Sequence, residues 1–207
     1  MFLLVGTVML YSAVSVHHAV PLPLPKVGAP NLTQPDKLVG APSKSAVAAY
    51  TVPPTYPKYI GVPAINIPNT EVLPLGLTAN NAVAVPASSY VTGWYKGSAK
   101  PGQQGAMFIY GHVLGWNAGG IFYNLKKLIP GDDITVTRGD NTVYTYQVVA
   151  SKVYPAQSVD MSAVLSPIVS GTPGLNLMTC TGTIVPQSNP IAFTERLVVF
   201  TKLVGTS

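Results

Sequence analysis

Apolar and β-branched residues recur in short runs between residues 59 and 204, and several runs alternate with polar positions. A period of two is typical of half-buried β-strands, because successive side chains point to opposite faces. Turn residues such as Pro101-Gly102 and Pro130-Gly131 separate the runs. Many short strands at this spacing predict a mainly β domain, a closed or nearly closed barrel, with strands in Ile60–Ile67, Ala82–Val85, Ala106–Tyr110, Ile134–Thr137, Thr142–Tyr154, Leu175–Thr179 and Leu197–Leu203.

Helices form a minor part of this prediction. The stretch Ile121–Ile129 places Ile121, Leu125 and Leu128 on one face at helical spacing, and Val159–Leu165 is the second short candidate. The sequence contains no internal repeat, no P-loop and no dinucleotide-binding fingerprint.

The first 56 residues differ from the rest of the chain. Residues 1–20 are apolar, with no acidic or basic residue before His17, and approach the roughly 20 residues that a spanning helix needs. We expect a membrane anchor there, with a cleaved signal peptide as the alternative, although the basic start of a signal peptide is missing. Either interpretation puts the remaining chain outside the cytoplasm.

Residues 21–56 are rich in Pro, Ser, Ala and Gly. Such a tract buries no core of its own, so it predicts an extended or disordered linker, with a loosely packed arm as the alternative. The expected organisation is therefore a membrane helix over residues 1–20, a Pro-rich linker over 21–56 and one folded domain over 57–207.

Composition narrows the class of protein. The chain has 207 residues, which suits one domain with an appendage, and 47% of them are hydrophobic, which suffices for a core. Charged residues make up 9%, against about 25% in an average soluble domain. The net charge of +5 is not gathered into a basic cluster, so we expect no nucleic-acid binding.

Cys180 is the single cysteine of the chain and follows the apolar run Leu175–Thr179. One cysteine excludes an internal disulfide and a zinc site built on several cysteines. Its position, at the end of a strand and the start of a loop, is compatible with two roles. It is either a small buried hydrophobic side chain or a nucleophile.

A nucleophilic cysteine needs a base or ion-pair partner and a group that stabilises the oxyanion. His112 is the only histidine outside the N-terminal segment, and it follows the strand Ala106–Tyr110 beside Gly111. Arg196 precedes the final apolar strand and carries a permanent charge that suits an oxyanion. Taken singly, a structural histidine and a surface arginine paired with an acid remain open alternatives.

Taken together, these pieces resemble the sortases, the cysteine transpeptidases of Gram-positive-type cell surfaces. The family signature T-L-x-T-C is matched at Leu177, Thr179 and Cys180, with Asn176 where the first threonine is usual. The segments YIGVPAINI, GWY, GIFYNL and GDDITVT also resemble the family, and they are most similar to classes E and F. Two departures from the class pattern are Val113 after the histidine and Thr181 after the cysteine.

The resemblance implies an eight-stranded β barrel and a role for each candidate residue. Cys180 would attack the threonine carbonyl of an LPxTG-like sorting signal, His112 would transfer protons to and from the amines, and Arg196 would hold the oxyanion. Thr179 and Thr181 would assist through backbone or hydroxyl groups. The implied partners are exported proteins bearing the signal and an amine of a peptidoglycan precursor or a pilin, and neither a metal nor a cofactor is implied.

An alternative from another class is an extracellular binding or structural module that kept the barrel and lost catalysis. Asn176 and Val113 motivate it, since both depart from the family pattern. Geometry separates the two hypotheses. Catalysis requires His112, Cys180 and Arg196 to lie on one groove, whereas a binding module allows them to lie on different faces.

Overall fold

The computed structural model describes residues 41–115, 119–188 and 190–207. These residues form eight strands and two short α-helices, with 3₁₀ turns at Pro63–Ile65 and Leu125–Lys127. In chain order the elements are α1 (Lys44–Ala49), β1 (Pro57–Val62), β2 (Ile67–Leu75), β3 (Thr92–Tyr95), β4 (Ala106–Tyr110), β5 (Asp133–Arg138), β6 (Val143–Pro155), α2 (Met161–Val164), β7 (Gly174–Ile184) and β8 (Phe193–Thr206).

The strands close into a barrel in the order β1-β2-β3-β4-β7-β8-β6-β5, which confirms the predicted closed eight-stranded β architecture. The pairs β2–β3 and β4–β7 are parallel, and the other pairs are antiparallel. The predicted membrane helix and the linker up to residue 40 lie outside the described residues. Within the described ranges, the structure contains no helix that is long and apolar enough to cross a membrane.

Alternation along the strands produces two apolar clusters. The first draws residues from all the long strands and fills the barrel interior, with Met107, Ile109, Leu175 and Leu177 among its fully buried members. The second lies on the outer face of β4, β7 and β8, where the even-numbered side chains point, and it contains Phe108, Tyr110, Met178, Cys180, Val198 and Phe200. The candidate nucleophile therefore belongs to a covered outer face of the barrel, and not to its interior.

The β6–β7 connection, residues 156–173, covers that outer face. It is attached at its start by Ala156 N–H, which donates to the Thr194 carbonyl at 2.8 Å. Near its other end the Asn176 amide of β7 donates to the Val164 and Ser166 carbonyls at 2.8 and 3.0 Å. The connection contributes Val159, Met161 and Val164 to the cluster that contains Cys180. It thus runs along β7 from the site end of the strand towards its start.

Residues 41–56, which fall in the predicted linker, contact the barrel. Ser43 caps α1 by accepting from Ala46 N–H. Tyr50 Oη donates to the Val72 carbonyl at 2.8 Å, and the Tyr56 ring meets Trp94 edge-on at 4.9 Å between centroids.

Three local predictions were wrong. The run Ile60–Ile67 is not one strand, because the 3₁₀ turn Pro63–Ile65 separates β1 from β2. Ala82–Val85 forms only an isolated bridge, Leu77 with Val83, and no strand. Ile121–Ile129 forms a single 3₁₀ turn and no α-helix. Its amides follow the 3₁₀ pattern and donate three residues back, Leu125 N–H to Phe122 O at 3.1 Å, Lys127 N–H to Asn124 O at 2.9 Å and Leu128 N–H to Leu125 O at 3.2 Å. The second predicted helix, Val159–Leu165, corresponds to α2.

Candidate active site

The register of the last two strands brings Cys180 and Arg196 together. Cys180 of β7 lies directly opposite Arg196 of β8 in the antiparallel ladder. Residues that face each other in this way have Cβ atoms about 4.5–5.5 Å apart and point to the same side of the sheet. The thiol and the guanidinium are therefore neighbours on the outer face.

His112 reaches the same place from the other side of β7. Strand β4 runs parallel to β7 with Tyr110 level with Met178, and Gly111 N–H continues the pairing by donating to Met178 O at 3.2 Å. Two residues beyond Tyr110 and Met178, His112 lies level with Cys180. Neighbouring strands are about 4.8 Å apart. His112, two residues beyond the end of β4, thus lies in one row with Cys180 of β7 and Arg196 of β8, which disfavours the module with dispersed residues.

Close packing fixes the chain just before His112. A Cβ on Gly111 would lie 2.6 Å from Ile121 Cγ2 and 2.9 Å from Phe122 Cδ2, so no side chain fits there. Thr179 Oγ1 donates to the Gly111 carbonyl at 2.9 Å and ties this point to β7. A larger residue at position 111 would require Ile121, Phe122 or the chain beside His112 to move.

The imidazole of His112 is oriented by a hydrogen bond from its outer nitrogen. Nε2 lies 2.9 Å from the Pro86 carbonyl, in the segment between β2 and β3. A carbonyl oxygen only accepts, so Nε2 carries the proton, and in the neutral ring Nδ1 is then the proton acceptor. The contact therefore selects the tautomer in which Nδ1 is the base.

Burial favours the neutral forms of both groups. The side chains of His112 and Cys180 are each 2% exposed. Burial raises the pKa of Cys180 to about 11, against the opposing effect of the Arg196 charge. Burial also lowers the pKa of His112, against the opposing effect of the Pro86 hydrogen bond. The resting pair near neutral pH is therefore a thiol beside a neutral imidazole.

The Arg196 side chain is held by two backbone carbonyls of its own strand, and its Nε–H has no acceptor among the described residues. Its Nη1 donates to the Phe193 and Glu195 carbonyls at 3.1 and 2.8 Å, and the side chain is 4% exposed. Within the described residues, its Nε has no hydrogen-bond partner. A buried donor left in this way costs free energy unless another acceptor arrives, so the arrangement suits an oxyanion formed near Cys180.

The two threonines beside the cysteine differ. The Thr179 hydroxyl proton is donated to Gly111, so it is not available to an oxyanion while that bond is made. Thr181 is half-buried and lines the cleft next to the thiol, as Thr179 does. Among the residues that the structure describes, no group of three or more His, Cys, Asp and Glu side chains is placed to hold a metal ion.

A cleft of about 150 Å³ opens beside Cys180. It lies between the segment that follows β4 and the end of β7, and Lys126 is the single charged side chain in its wall. The other lining residues are Val113, Leu114, Phe122, Tyr123, Thr179, Thr181, Gly182, Phe193 and Leu197. Sequence reasoning missed Pro86, Lys126 and Phe193, since a backbone carbonyl, a surface-type lysine and a lone aromatic residue give no distinguishing signal.

One family model and several solved structures resemble the chain. A family model described as "Sortase domain" matches residues 60–204. A pilus-related sortase C of Group B Streptococcus is 23% identical over 86% of this chain and 79% of its own, with a TM-score of 0.58. Sortase A of Listeria monocytogenes is 21% identical over 74% and 90%, with a TM-score of 0.54. A variant of sortase E from Streptomyces avermitilis is 23% identical over 74% and 92%, with a TM-score of 0.52. No curated protein sequence matches the chain.

Proposed function

The chain belongs to the sortase family and is a cysteine transpeptidase, and from this premise we propose that Cys180, His112 and Arg196 carry out its chemistry. The observation that supports this assignment is the register of β7 with β4 and β8, which aligns Cys180 with Arg196 and with His112 just beyond β4. Acyl transfer needs a thiol, a base of fixed tautomer and an oxyanion donor, and Arg196 Nε is such a donor, with no hydrogen-bond partner among the described residues.

In the first half of the reaction, Cys180 Sγ attacks the carbonyl carbon of the threonine in the sorting signal. The thiol proton moves to His112 Nδ1 as the S–C bond forms, because the free thiolate is scarce at a pKa of about 11. His112 then gives this proton to the leaving amine, and the peptide C–N bond breaks. The products are a thioester on Cys180 and a released C-terminal fragment.

In the second half, the amine of an acceptor attacks the thioester carbon. His112 Nδ1 takes a proton from the attacking nitrogen and returns it to the departing sulfur, which regenerates the thiol and leaves an amide bond. Arg196 Nε donates to the oxyanion in both tetrahedral intermediates, with Thr181 beside it. Removing one oxyanion donor costs about 10²–10³ in kcat in other acyl-transfer enzymes.

The substrates in this proposal are exported proteins that end in an LPxTG-like signal. The acceptor is an amine of a peptidoglycan precursor or of a pilin subunit. One structural neighbour is described as pilus-related and another through its pilin substrate specificity, which supports the pilin acceptor. We also propose that the chain is closest to classes E and F, on the sequence phrases that resemble those classes.

The direct test is acyl transfer by the full chain from LPxTG-type peptides to an amine such as triglycine. We expect product with the native chain and none with Cys180→Ala, which removes one buried sulfur. Circular dichroism and the unfolding midpoint show whether the alanine variant keeps its fold. Product formed by a folded Cys180→Ala variant at the native rate would exclude the mechanism.

We further propose that residues 1–20 hold the protein at the cell membrane as a single-pass anchor, with the catalytic domain outside the cell. The support is the apolar composition of this segment. Membrane fractionation combined with protease treatment of intact cells tests it. Recovery of the chain in the cytosolic fraction, protected from protease, would contradict it.

A further inference from the structure

We propose that Lys126 recognises a carboxylate on the substrate, next to the carbonyl or the amine that reacts at Cys180. This inference rests on the proposed function, because it concerns the substrates of the same thiol. The inference adds to the proposed function the sign of the charge on the substrate group that the cleft binds.

The size and lining of the cleft support a small ligand group. Its volume of about 150 Å³ is below the roughly 300–1,000 Å³ of pockets that hold drug-sized ligands, so it accommodates about one amino-acid residue. Apolar side chains such as Val113, Phe122 and Phe193 form most of the wall. In such an apolar wall, the single ammonium group of Lys126 favours a negatively charged ligand group over a positively charged one.

The backbone of Lys126 is fixed at the edge of this cleft. It lies in the 3₁₀ turn between Leu125, which is fully buried, and Lys127, and Leu128 anchors the end of the turn in the barrel core. Leu125 N–H donates to Phe122 O at 3.1 Å and Leu128 N–H donates to Leu125 O at 3.2 Å. The lysine side chain is exposed and extends from a rigid base.

Among the described residues, no acidic side chain forms a salt bridge with Lys126. The one salt bridge in that part of the chain joins Arg138 to Asp140, and neither residue lines the cleft. Glu195 approaches the cleft, since its Oε2 would lie 2.8 Å from a Cβ on Gly182, but it forms no ion pair with Lys126. A carboxylate is therefore attracted to the Lys126 wall and repelled near Gly182, which gives the cleft a polarity.

The carboxylate can come from two sources that share this chemistry. One is an acidic residue within the sorting signal, and the other is an acceptor that carries a carboxylate beside its amine. Both groups reach the cleft when their reacting atom is at Cys180, because the cleft spans about one residue.

The first experiment does not depend on transpeptidation. Cys180 of the full chain is alkylated with iodoacetate and with iodoacetamide, which react at the same atom and differ in one carboxylate. We expect Lys126→Glu to lower the iodoacetate-to-iodoacetamide rate ratio by about threefold or more, which is the size expected for an exposed ion pair. Lys127→Glu is the matched control, since it makes the same charge change on the same turn outside the cleft wall. The difference should shrink at 1 M salt, where the Debye length is about 3 Å.

The second experiment identifies the source. Transfer rates are compared for signals with Asp or Asn at the variable position, and for glycine or glycinamide as acceptor. In each pair the preference is the rate with the carboxylate compound divided by the rate with its amide. If this preference falls in Lys126→Glu and not in Lys127→Glu for one pair, that pair contains the carboxylate that Lys126 recognises. An unchanged alkylation ratio together with unchanged preferences in both pairs would overturn the inference, while transfer itself would still support the proposed function. A Lys126-dependent alkylation ratio without any transfer product would support carboxylate recognition and refute the proposed function.

Discussion

Replacing Asn176 with alanine removes the amide that ties the β6–β7 connection to β7. The Asn176 side chain is fully buried, and its Nδ2 donates to the Val164 and Ser166 carbonyls at 2.8 and 3.0 Å. Its Oδ1 has no hydrogen-bond partner within the described residues. The variant therefore breaks two hydrogen bonds and removes one acceptor that was already unsatisfied.

The loss of stability follows from the surroundings of each group. Val164 is buried, so its carbonyl loses its donor without replacement by water, which costs about 1–3 kcal/mol. Ser166 is exposed, so water replaces much of the second bond, and about 0.5–1 kcal/mol is lost there. Removing the unsatisfied Oδ1 offsets part of this. We expect a net loss of about 2 kcal/mol in the free energy of unfolding, which lowers Tm by roughly 4–8 °C.

The same change should weaken substrate binding more than the chemical step. The connection packs Val159 and Met161 into the cluster that contains Cys180, so a loosened connection also loosens the packing behind the thiol that lines the cleft. Steady-state kinetics with a sorting peptide should show a raised KM with a smaller change in kcat.

Thr201→Val is the matched control for Asn176→Ala. Thr201 is also fully buried, and its hydroxyl accepts from Leu175 N–H at 3.1 Å and donates to Leu175 O at 2.7 Å, near the start of β7 and away from the site. Denaturant unfolding and kinetics are measured for both variants. An Asn176→Ala variant within about 0.5 kcal/mol of the native chain, or an equal rise of KM in Thr201→Val, would refute this reasoning.

Two further predictions concern the thiol and its neighbours. The rate of alkylation of Cys180 by iodoacetamide should rise about tenfold per pH unit up to about pH 10. The reason is that the pKa of the thiol is raised to about 11, so thiolate forms only as the pH approaches that value. A plateau in the rate between pH 8 and 9 would contradict this prediction. Arg196→Lys should lower kcat by about 10²–10³, because the point charge of an ammonium group does not reproduce the donors of the guanidinium. Single-turnover rates measure this effect, and an unchanged rate would exclude Arg196 from the oxyanion site.

The alternation of residues in the sequence predicted much of the barrel. Runs such as Ala106–Tyr110 and Leu175–Thr179 have the composition of buried strands and became β4 and β7. The prediction for Ile121–Ile129 failed because the spacing of apolar residues does not distinguish an α-helix from a 3₁₀ turn, in which Leu125 and Leu128 donate their amides three residues back. Local patterns therefore predicted many of the strands, and did not predict turn geometry or the pairing of distant segments.

The candidate site shows the same limit. Residue type and position at predicted strand ends singled out His112, Cys180 and Arg196, although Cys180 and Arg196 lie inside β7 and β8 in the structure. Their alignment depends on the register of β7 with both β4 and β8, which the sequence of one strand does not specify. Pro86 acts through its carbonyl, and every residue has one, so no sequence signal distinguishes it.

The central claim is that Cys180 forms a thioester with the substrate. Intact-mass spectrometry of the full chain mixed with a sorting peptide, without an acceptor amine, tests it most directly. We predict an added mass equal to the acyl fragment ending in threonine, mapped by proteolysis to Cys180 and lost on addition of hydroxylamine or triglycine. A transfer product that accumulates with no such adduct on Cys180, or an adduct mapped to another residue, would contradict the account.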